Sequence, residues 1–163
     1  MASDFEDKIK KLAAFDRVKA FQTIFADKEV RGLIIELNIK QLQRGKDSKD
    51  KPIGRGYYSA RSVKEFGKKP GPIVLFEHGD FYASIHTEVI NTTIVIDADG
   101  QKGNTNLFNR YGVDVVGLDG KSMNELGGML KMKLAKYIWR LVGMEYTEST
   151  PFDFLDENYD ILF

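Results

Sequence analysis

Hydrophobic residues in the first quarter of the chain recur at three- and four-residue steps, the spacing of a helix face. Residues 3–25 predict one helix, in which Ser3 opens the S-x-x-E spacing of a capping box. After Asp27, a predicted N-cap, the pattern sharpens and predicts a helix over residues 28–44. Gly45 is the predicted stop of this second helix.

The centre of the chain changes to an alternation with a period of two, which is typical of half-buried strands. It predicts a strand over residues 81–89, a turn at Asn91 and a β-branched strand over residues 92–98. A short helix over residues 60–66 is predicted before this region, capped by the preceding serine. A further short strand is predicted over residues 113–118.

The clearest helical pattern comes last, with a capping box beginning at Ser122, an apolar stripe that runs to Leu141, and a stop at Gly143. Gly127 and Gly128 each disfavour a helix by about 1 kcal/mol, so we expect them to permit close packing. These elements predict an α+β fold with N-terminal helices, a central antiparallel sheet, a C-terminal helix packed on the sheet and an extended C-terminal tail.

The 163 residues are enough for one self-sufficient core. We predict a single α+β domain over residues 1–143, followed by an acidic, aromatic arm over residues 144–163. Within the domain, residues 45–58 predict an exposed basic loop, because Ile53 is the only strongly apolar residue of its first twelve. The arm is too apolar to be freely solvated, and its candidate interface residues are Phe152, Phe154, Leu155, Tyr159 and Phe163.

The formal net charge of zero conceals an asymmetry along the chain. Residues 40–70 contain ten Lys or Arg against three Asp or Glu, whereas residues 144–163 contain six acids and no base. Opposite charges of this kind suit docking onto a second copy or onto a charged partner, although two solvated loops of opposite sign would give the same pattern. The candidate basic surface, for a protein partner or DNA, comprises Arg44, Lys46, Lys49, Lys51, Arg55, Arg61, Lys68 and Lys69.

Composition and motifs disfavour several classes of protein. The absence of cysteine excludes disulfides, thiolate metal sites and cysteine nucleophiles, and no apolar run approaches the length of a membrane span. His78 and His86 have no metal-ligand spacing around them, and Ser84 lacks the G-x-S-x-G elbow of a nucleophile. We therefore predict no catalytic residue, no metal, no cofactor and no enzymatic activity.

Binding to nucleic acid is an open alternative. The basic segment Lys40–Lys69 interleaves cations with Tyr57 and Tyr58, which would offer phosphate contacts and stacking platforms. This composition predicts at most weak, sequence-independent contact, because the whole chain is neutral and the acidic arm competes for the same surface.

Five segments occur in a fixed order over Leu37–Leu141: QLQRG (Gln41–Gly45), LFEHGDFYASI (Leu75–Ile85), NRYG (Asn109–Gly112), VVGLD (Val115–Asp119) and the helix that starts at Ser122. In order and spacing they resemble the phage virion-morphogenesis or tail-completion family, including small neck proteins of phages that infect gut Bacteroidetes. The chain departs from the family at Pro52-Ile53, where a Trp is usual, at His78, where Thr or Ser is usual, and in its acidic arm.

The resemblance implies a non-enzymatic structural protein of the head–tail junction, which joins or caps head and tail and lets DNA pass. It implies a homo-oligomeric ring, six- or twelve-fold, that contacts neighbouring portal, connector or tail-tube proteins. Its location would be the neck or tail of the virion, with assembly in the host cytoplasm and no membrane association. DNA contact in the lumen would be non-specific.

Overall fold

The computed structural model describes the backbone of residues 2–147 and the side chains of residues 4–147. This part of the chain forms seven α-helices and two small antiparallel sheets, so the predicted α+β class is confirmed. The helices are α1 Ala2–Ala13, α2 Arg17–Ala26, α3 Lys28–Gln43, α4 Ala60–Phe66, α5 Asp80–Ser84, α6 Leu107–Tyr111 and α7 Gly120–Leu141. The strands are β1 His86–Ile90, β2 Thr93–Asp97, β3 Gln101–Lys102 and β4 Thr105–Asn106.

The predicted single helix over residues 3–25 is wrong, because residues 14–16 separate α1 from α2. Asp16 causes the break: its side chain accepts a hydrogen bond from the Lys19 N–H at 3.1 Å and caps a new helix. Ser3 lies inside the first turn of α1, so it is not the N-cap that the capping-box spacing predicted.

Both predicted ends of helix α3 are confirmed. Asp27 caps it by accepting the Glu29 N–H at 2.8 Å, and Gly45 follows it with φ of 71°. A residue with a side chain would be strained here by the left-handed backbone. It would also clash, because a Cβ on Gly45 would lie 2.6 Å from the Cβ of Pro72. The predicted helix over residues 60–66 is likewise confirmed, with Ser59 as its cap.

The first half of the predicted strand over residues 81–89 is wrong. Residues 80–84 form the short helix α5, because the adjacent Phe81 and Tyr82 are both buried, which a strand with alternating faces does not allow. The strand β1 starts at His86 and pairs with β2 through the predicted turn at Asn91, whose φ is 56°.

Residues 113–118 do not form the predicted strand. Val113–Val115 are a 3₁₀ turn, and the segment is held by side chains from α3 instead of by a neighbouring strand. The buried amide of Asn38 donates to the Gly117 carbonyl at 3.0 Å, and the buried amide of Gln41 donates to the same oxygen at 3.3 Å. Hydrogen bonds from two side chains of α3 therefore take the place of the backbone hydrogen bonds that a neighbouring strand would supply.

The last helix, α7, begins two residues before Ser122 and is capped by Asp119, which accepts the Ser122 N–H at 2.7 Å. The predicted capping box at Ser122 is therefore wrong, whereas the stop at Gly143 is confirmed by its φ of 76°. The expectation that Gly127 and Gly128 permit close packing is also wrong, since, apart from adjacent residues and the backbone of α7 itself, no atom of the described residues lies within 4 Å of a Cβ built at either position.

Helices α3 and α7 lie antiparallel. Arg44, just after α3, contacts Asp119 before α7, while Lys133 of α7 contacts Asp27 and Glu29 at the start of α3. One hydrophobic cluster joins α2, α3, α7 and the inner face of the β1–β2 hairpin. A second packs against the carboxyl-terminal half of α3 and contains Leu42, Ile53, Leu75, Phe81, Leu107 and Val115. Most of the loop over residues 45–58 is exposed or half-buried, but Ile53 is buried and anchors the loop in the core.

Candidate assembly interface

The predicted basic surface is largely neutralised by carboxylates within the fold. Five of its eight cations form ion pairs with described residues. The pairs are Arg44–Asp119 at 2.8 Å, Lys46–Asp50 at 3.6 Å, Lys49–Asp114 at 2.7 Å, Arg61–Glu65 at 2.7 Å and Lys68–Glu77 at 3.3 Å. Three of these acids lie outside residues 40–70, so the excess of cations along the sequence overstates the field of the folded surface.

The other three cations of this surface are Lys51, Arg55 and Lys69, which are exposed and form no ion pair with a described residue. A β-bridge between Tyr57 and Pro72 brings the segment that carries Lys69 alongside the loop that carries the other two. The folded chain therefore keeps a small basic edge where the sequence predicted a broad basic surface.

An aromatic groove of about 400 Å³ lies between α4, α6 and the segment after α4. The rings of Phe66 and Phe76 line it and are 66% and 52% exposed, and those of Tyr58 and Tyr111 form other parts of its wall. Exposed rings of this size at a shared concave surface are typical of protein-binding sites. We call this surface the aromatic groove.

A strained backbone residue positions one wall of the groove. Leu75 has φ of 55°, a left-handed conformation that costs about 1–2 kcal/mol for a residue with a Cβ. Its side chain is buried in the core, while the next side chain, Phe76, is turned out into the groove and meets the Tyr82 ring at 5.4 Å. The Tyr82 hydroxyl donates to the Val74 carbonyl, and its burial raises the pKa of Tyr82.

The pair of Arg44 and Asp119 fixes the neighbouring end of the molecule. The Asp119 carboxylate is almost fully buried, and its own N–H donates to the Gln41 side-chain oxygen at 2.7 Å. Burial alone would raise the pKa of Asp119, but hydrogen bonds from Ser122 and the charge of Arg44 together lower it. Asp119 is therefore ionised at neutral pH and ties α3 to α7.

Helix α1 presents an apolar stripe to solvent. Phe5, Ile9 and Leu12 share one face and are 66%, 49% and 47% exposed. Just after α1, the edge of the Phe15 ring meets Tyr137 of α7, at 6.2 Å between centroids. A helix of 12 residues is marginal on its own in water, so this stripe is a candidate contact with another molecule.

The candidate interface residues of the arm, Phe152, Phe154, Leu155, Tyr159 and Phe163, lie outside the described residues. The chain before them is tied to α7, since the Met144 N–H donates to the Trp139 carbonyl at 2.9 Å. The ammonium of Lys136 lies 5.5 Å from the centre of the Tyr146 ring. The arm therefore departs from beside the last turns of α7.

The residues considered for catalysis have structural contacts. Ser84 closes α5: its hydroxyl donates to the Phe81 carbonyl at 2.7 Å and accepts the Asp99 N–H at 2.9 Å. His78 lies at the rim of a cavity of about 200 Å³ next to α5, whereas Nδ1 of His86 is 3.0 Å from the Ser84 carbonyl. Between residues 2 and 147, no cluster of three or more potential ligands is suited to a metal, and no helix has the length and apolarity to cross a membrane.

Comparisons with models of known families, with characterised proteins and with solved structures find no match for this chain.

The sequence did not predict the aromatic groove, nor the two buried amides of Asn38 and Gln41 that bind the Gly117 carbonyl. Phe66 lies between Glu65 and Gly67, and Phe76 precedes Glu77; an aromatic residue beside a charge is a usable signal for an exposed contact residue. The two amides had no such signal, because an amide on an otherwise apolar helix face does not reveal which distant carbonyl it binds.

Proposed function

We propose that this protein is a structural, non-enzymatic component of a phage virion at the head–tail junction, where copies of it form a ring that joins or caps head and tail. One observation carries the proposal: the two surfaces suited to contact with another copy lie at opposite ends of the molecule. The basic edge and the aromatic groove lie at one end, and the arm departs from the other.

The antiparallel pair of α3 and α7 sets this separation. The loop over residues 45–58 lies at the carboxyl end of α3, where Arg44 meets Asp119, and Gly54 of this loop lies against the Tyr111 ring of the groove. The arm leaves near Lys136, 16 residues into α7, which corresponds to about 24 Å at 1.5 Å per residue. Different surfaces at opposite ends form head-to-tail interfaces, and these generate rings when the rotation closes.

Segments that carry the family resemblance also meet in space. The side chain of Gln41, in QLQRG, binds the backbone of Gly117 and Asp119, in VVGLD. Leu75, which begins the glycine-centred segment, shares a core with Val115. Residues that are distant in the sequence and recur together in a family are expected to form one structural unit, and these segments do so here.

Weak nucleic-acid binding is the second candidate, favoured by Lys51, Arg55 and Lys69, which form no ion pair with a described residue, and by Tyr57, which is 72% exposed. Among the eight cations of the basic surface, these three alone form no ion pair within the described residues, which suits passing contact with phosphates better than a dedicated binding site. This is the contact that a ring with DNA in its lumen would make.

Mass by light scattering, measured across protein concentration with and without duplex DNA, tests the proposal. We expect a discrete ring of six or twelve subunits whose mass does not depend on DNA, and deletion of residues 151–163 should abolish the ring while circular dichroism stays unchanged. A monomer that gains mass only with DNA would support the second candidate instead. Mass spectrometry of purified virions then tests whether the chain is a component of the particle.

A further inference from the structure

We infer that the aromatic groove receives residues 152–163 of the arm of a neighbouring copy, which makes it the socket of the head-to-tail interface. The inference rests on the proposed function only in taking a second copy as the occupant. It assigns a new receiving surface, because Lys68 is the one member of the predicted basic surface that lines the groove.

The charge of the groove matches that of the arm. Three cations line it, Lys68, Lys102 and Arg110, against one acid, Glu77, which binds both lysines. The net charge of the lining is therefore +2. Residues 148–163 carry five acids and no base, so their approach to this lining is electrostatically favoured and disfavoured on an acidic surface.

The apolar chemistry also matches. Two of the groove cations lie over tyrosine rings, Lys68 at 5.9 Å from the centre of Tyr58 and Arg110 at 5.3 Å from the centre of Tyr111. The arm supplies aromatic rings that alternate with acids in PFDFLDENYDILF. Rings that insert beside exposed Phe66 and Phe76 would bury apolar area, while the intervening carboxylates reach the cations at the rim.

The position of the first aromatic residue favours a neighbouring copy as the source of the arm. Phe152 is five residues after Thr147, so its Cα lies at most about 18 Å from that of Thr147. About 24 Å of α7 separates Lys136, where the arm departs, from Gly120, and the groove adjoins the 45–58 loop through the contact of Gly54 with Tyr111. The later residues of the arm are long enough to span this length, whereas Phe152 enters a groove most readily in a copy placed end to end.

Disulfide trapping tests this contact cleanly, because the chain contains no cysteine. One preparation carries Thr105→Cys, at an exposed position in the groove wall, and a second carries Leu155→Cys in the arm. The two are mixed from micromolar to millimolar concentration under mild oxidation. We expect a disulfide-linked dimer of the two variants. The matched control replaces Thr105→Cys with Lys131→Cys, an exposed position on α7 far from the groove, and should give little dimer.

A groove variant adds a second readout. Phe66→Ser should lower the rate of cross-linking about tenfold, the effect of losing one anchor residue, whereas Val113→Ser, which changes a residue that is 70% exposed outside the groove, should leave it unchanged. Both side chains are exposed, so neither change should unfold the chain.

Three results would overturn the inference: no cross-link at any concentration, equal cross-linking to Lys131→Cys, or an intrachain disulfide in a chain that carries both Thr105→Cys and Leu155→Cys without any dimer. A ring that forms without the cross-link overturns the socket and leaves the junction proposal standing. Specific cross-linking in a protein that never enters virions retains the socket and overturns the junction proposal.

Discussion

The guanidinium of Arg44 lies 2.8 Å from Oδ2 of Asp119, and the other oxygen of the same carboxylate caps helix α7. One buried side chain therefore binds the residue that follows α3 and caps α7. Because Asp119 N–H also donates to Gln41, the contact joins α3, the 115–119 segment and α7 in a single network. This network holds the end of the molecule next to the loop and the aromatic groove.

Substitutions at Asp119 should separate its two roles. Asp119→Ala removes the cap and the ion pair and should lower the free energy of unfolding by about 2–3 kcal/mol. Asp119→Asn keeps a good N-cap and loses only the charge, so we expect a loss of about 1 kcal/mol. Urea denaturation measures both. Equal losses in the two variants would show that the charge, and not the cap, supplies the stabilisation.

Stability should fall in acid because of two carboxylates. The hydrogen bond from Lys133 holds the pKa of Asp27 below its ordinary value. Although burial acts in the opposite direction, the hydrogen bonds from Ser122 and the charge of Arg44 hold the pKa of Asp119 below its ordinary value. As the pH falls, the unfolded chain therefore binds more protons than the folded chain. The two carboxylates stabilise the fold fully above their unfolded pKa values, and this stabilisation is lost progressively below about pH 5. Denaturation midpoints between pH 3 and 7 should show this decline, with a smaller slope in Asp119→Asn. A slope unchanged by that substitution would exclude Asp119 as a source.

Local rules predicted the elements whose signals are local. Asp27, Ser59, Gly45 and Gly143 begin or end helices as expected, because caps and left-handed glycines act within one turn. The failures are at residues 81–84 and 113–118, where tertiary contacts decide. Alternation cannot tell a strand from a short helix whose adjacent rings both enter the core.

The sequence predicts which residue types the candidate site contains, but not how they are paired or arranged. The sequence gives the number of cations, but Asp114, Asp119 and Glu77 reach three of them from distant segments. Pairing of this kind depends on the folded chain path, which charge counts along the sequence do not contain. The aromatic groove likewise depends on the left-handed turn at Leu75, which no residue preference would have placed at a leucine.

Gly128→Ala should stabilise the monomer. Gly128 lies in α7, its φ is not in the left-handed region, and, apart from adjacent residues and the backbone of α7 itself, no described atom lies within 4 Å of a Cβ at that position. Alanine should therefore raise the free energy of unfolding by about 0.5–1 kcal/mol through its helix propensity. Thermal denaturation at a concentration where the chain is monomeric measures the gain. A loss of stability would mean that the residue contacts part of the chain outside residues 2–147.

The apolar stripe of α1 should contribute to association and little to folding. In the triple variant Phe5→Ser, Ile9→Ser, Leu12→Ser, three exposed side chains are changed, so the unfolding midpoint should shift little. If the stripe contacts a neighbouring subunit, the mass from light scattering should fall toward that of the monomer. Lys10→Ser, an exposed change on the same helix, is the control and should alter neither quantity. An unchanged ring with the triple variant would exclude the stripe from the interface.

Binding to duplex DNA should be weak and only moderately dependent on salt. Of the basic surface, Lys51, Arg55 and Lys69 form no ion pair with a described residue, so the slope of log K against log salt should be no steeper than about −3, at roughly 0.9 per neutralised phosphate. Fluorescence anisotropy with labelled duplexes of two unrelated sequences, between 50 and 200 mM salt, measures the slope and the lack of sequence preference. Changing these three residues to Glu should abolish binding, whereas Arg61→Glu, which reverses a cation already paired with Glu65, should weaken it less. A slope of about −7 with wild-type protein, the value for all eight cations of the basic surface, would mean that DNA breaks the internal ion pairs, and would favour the nucleic-acid candidate over the junction protein.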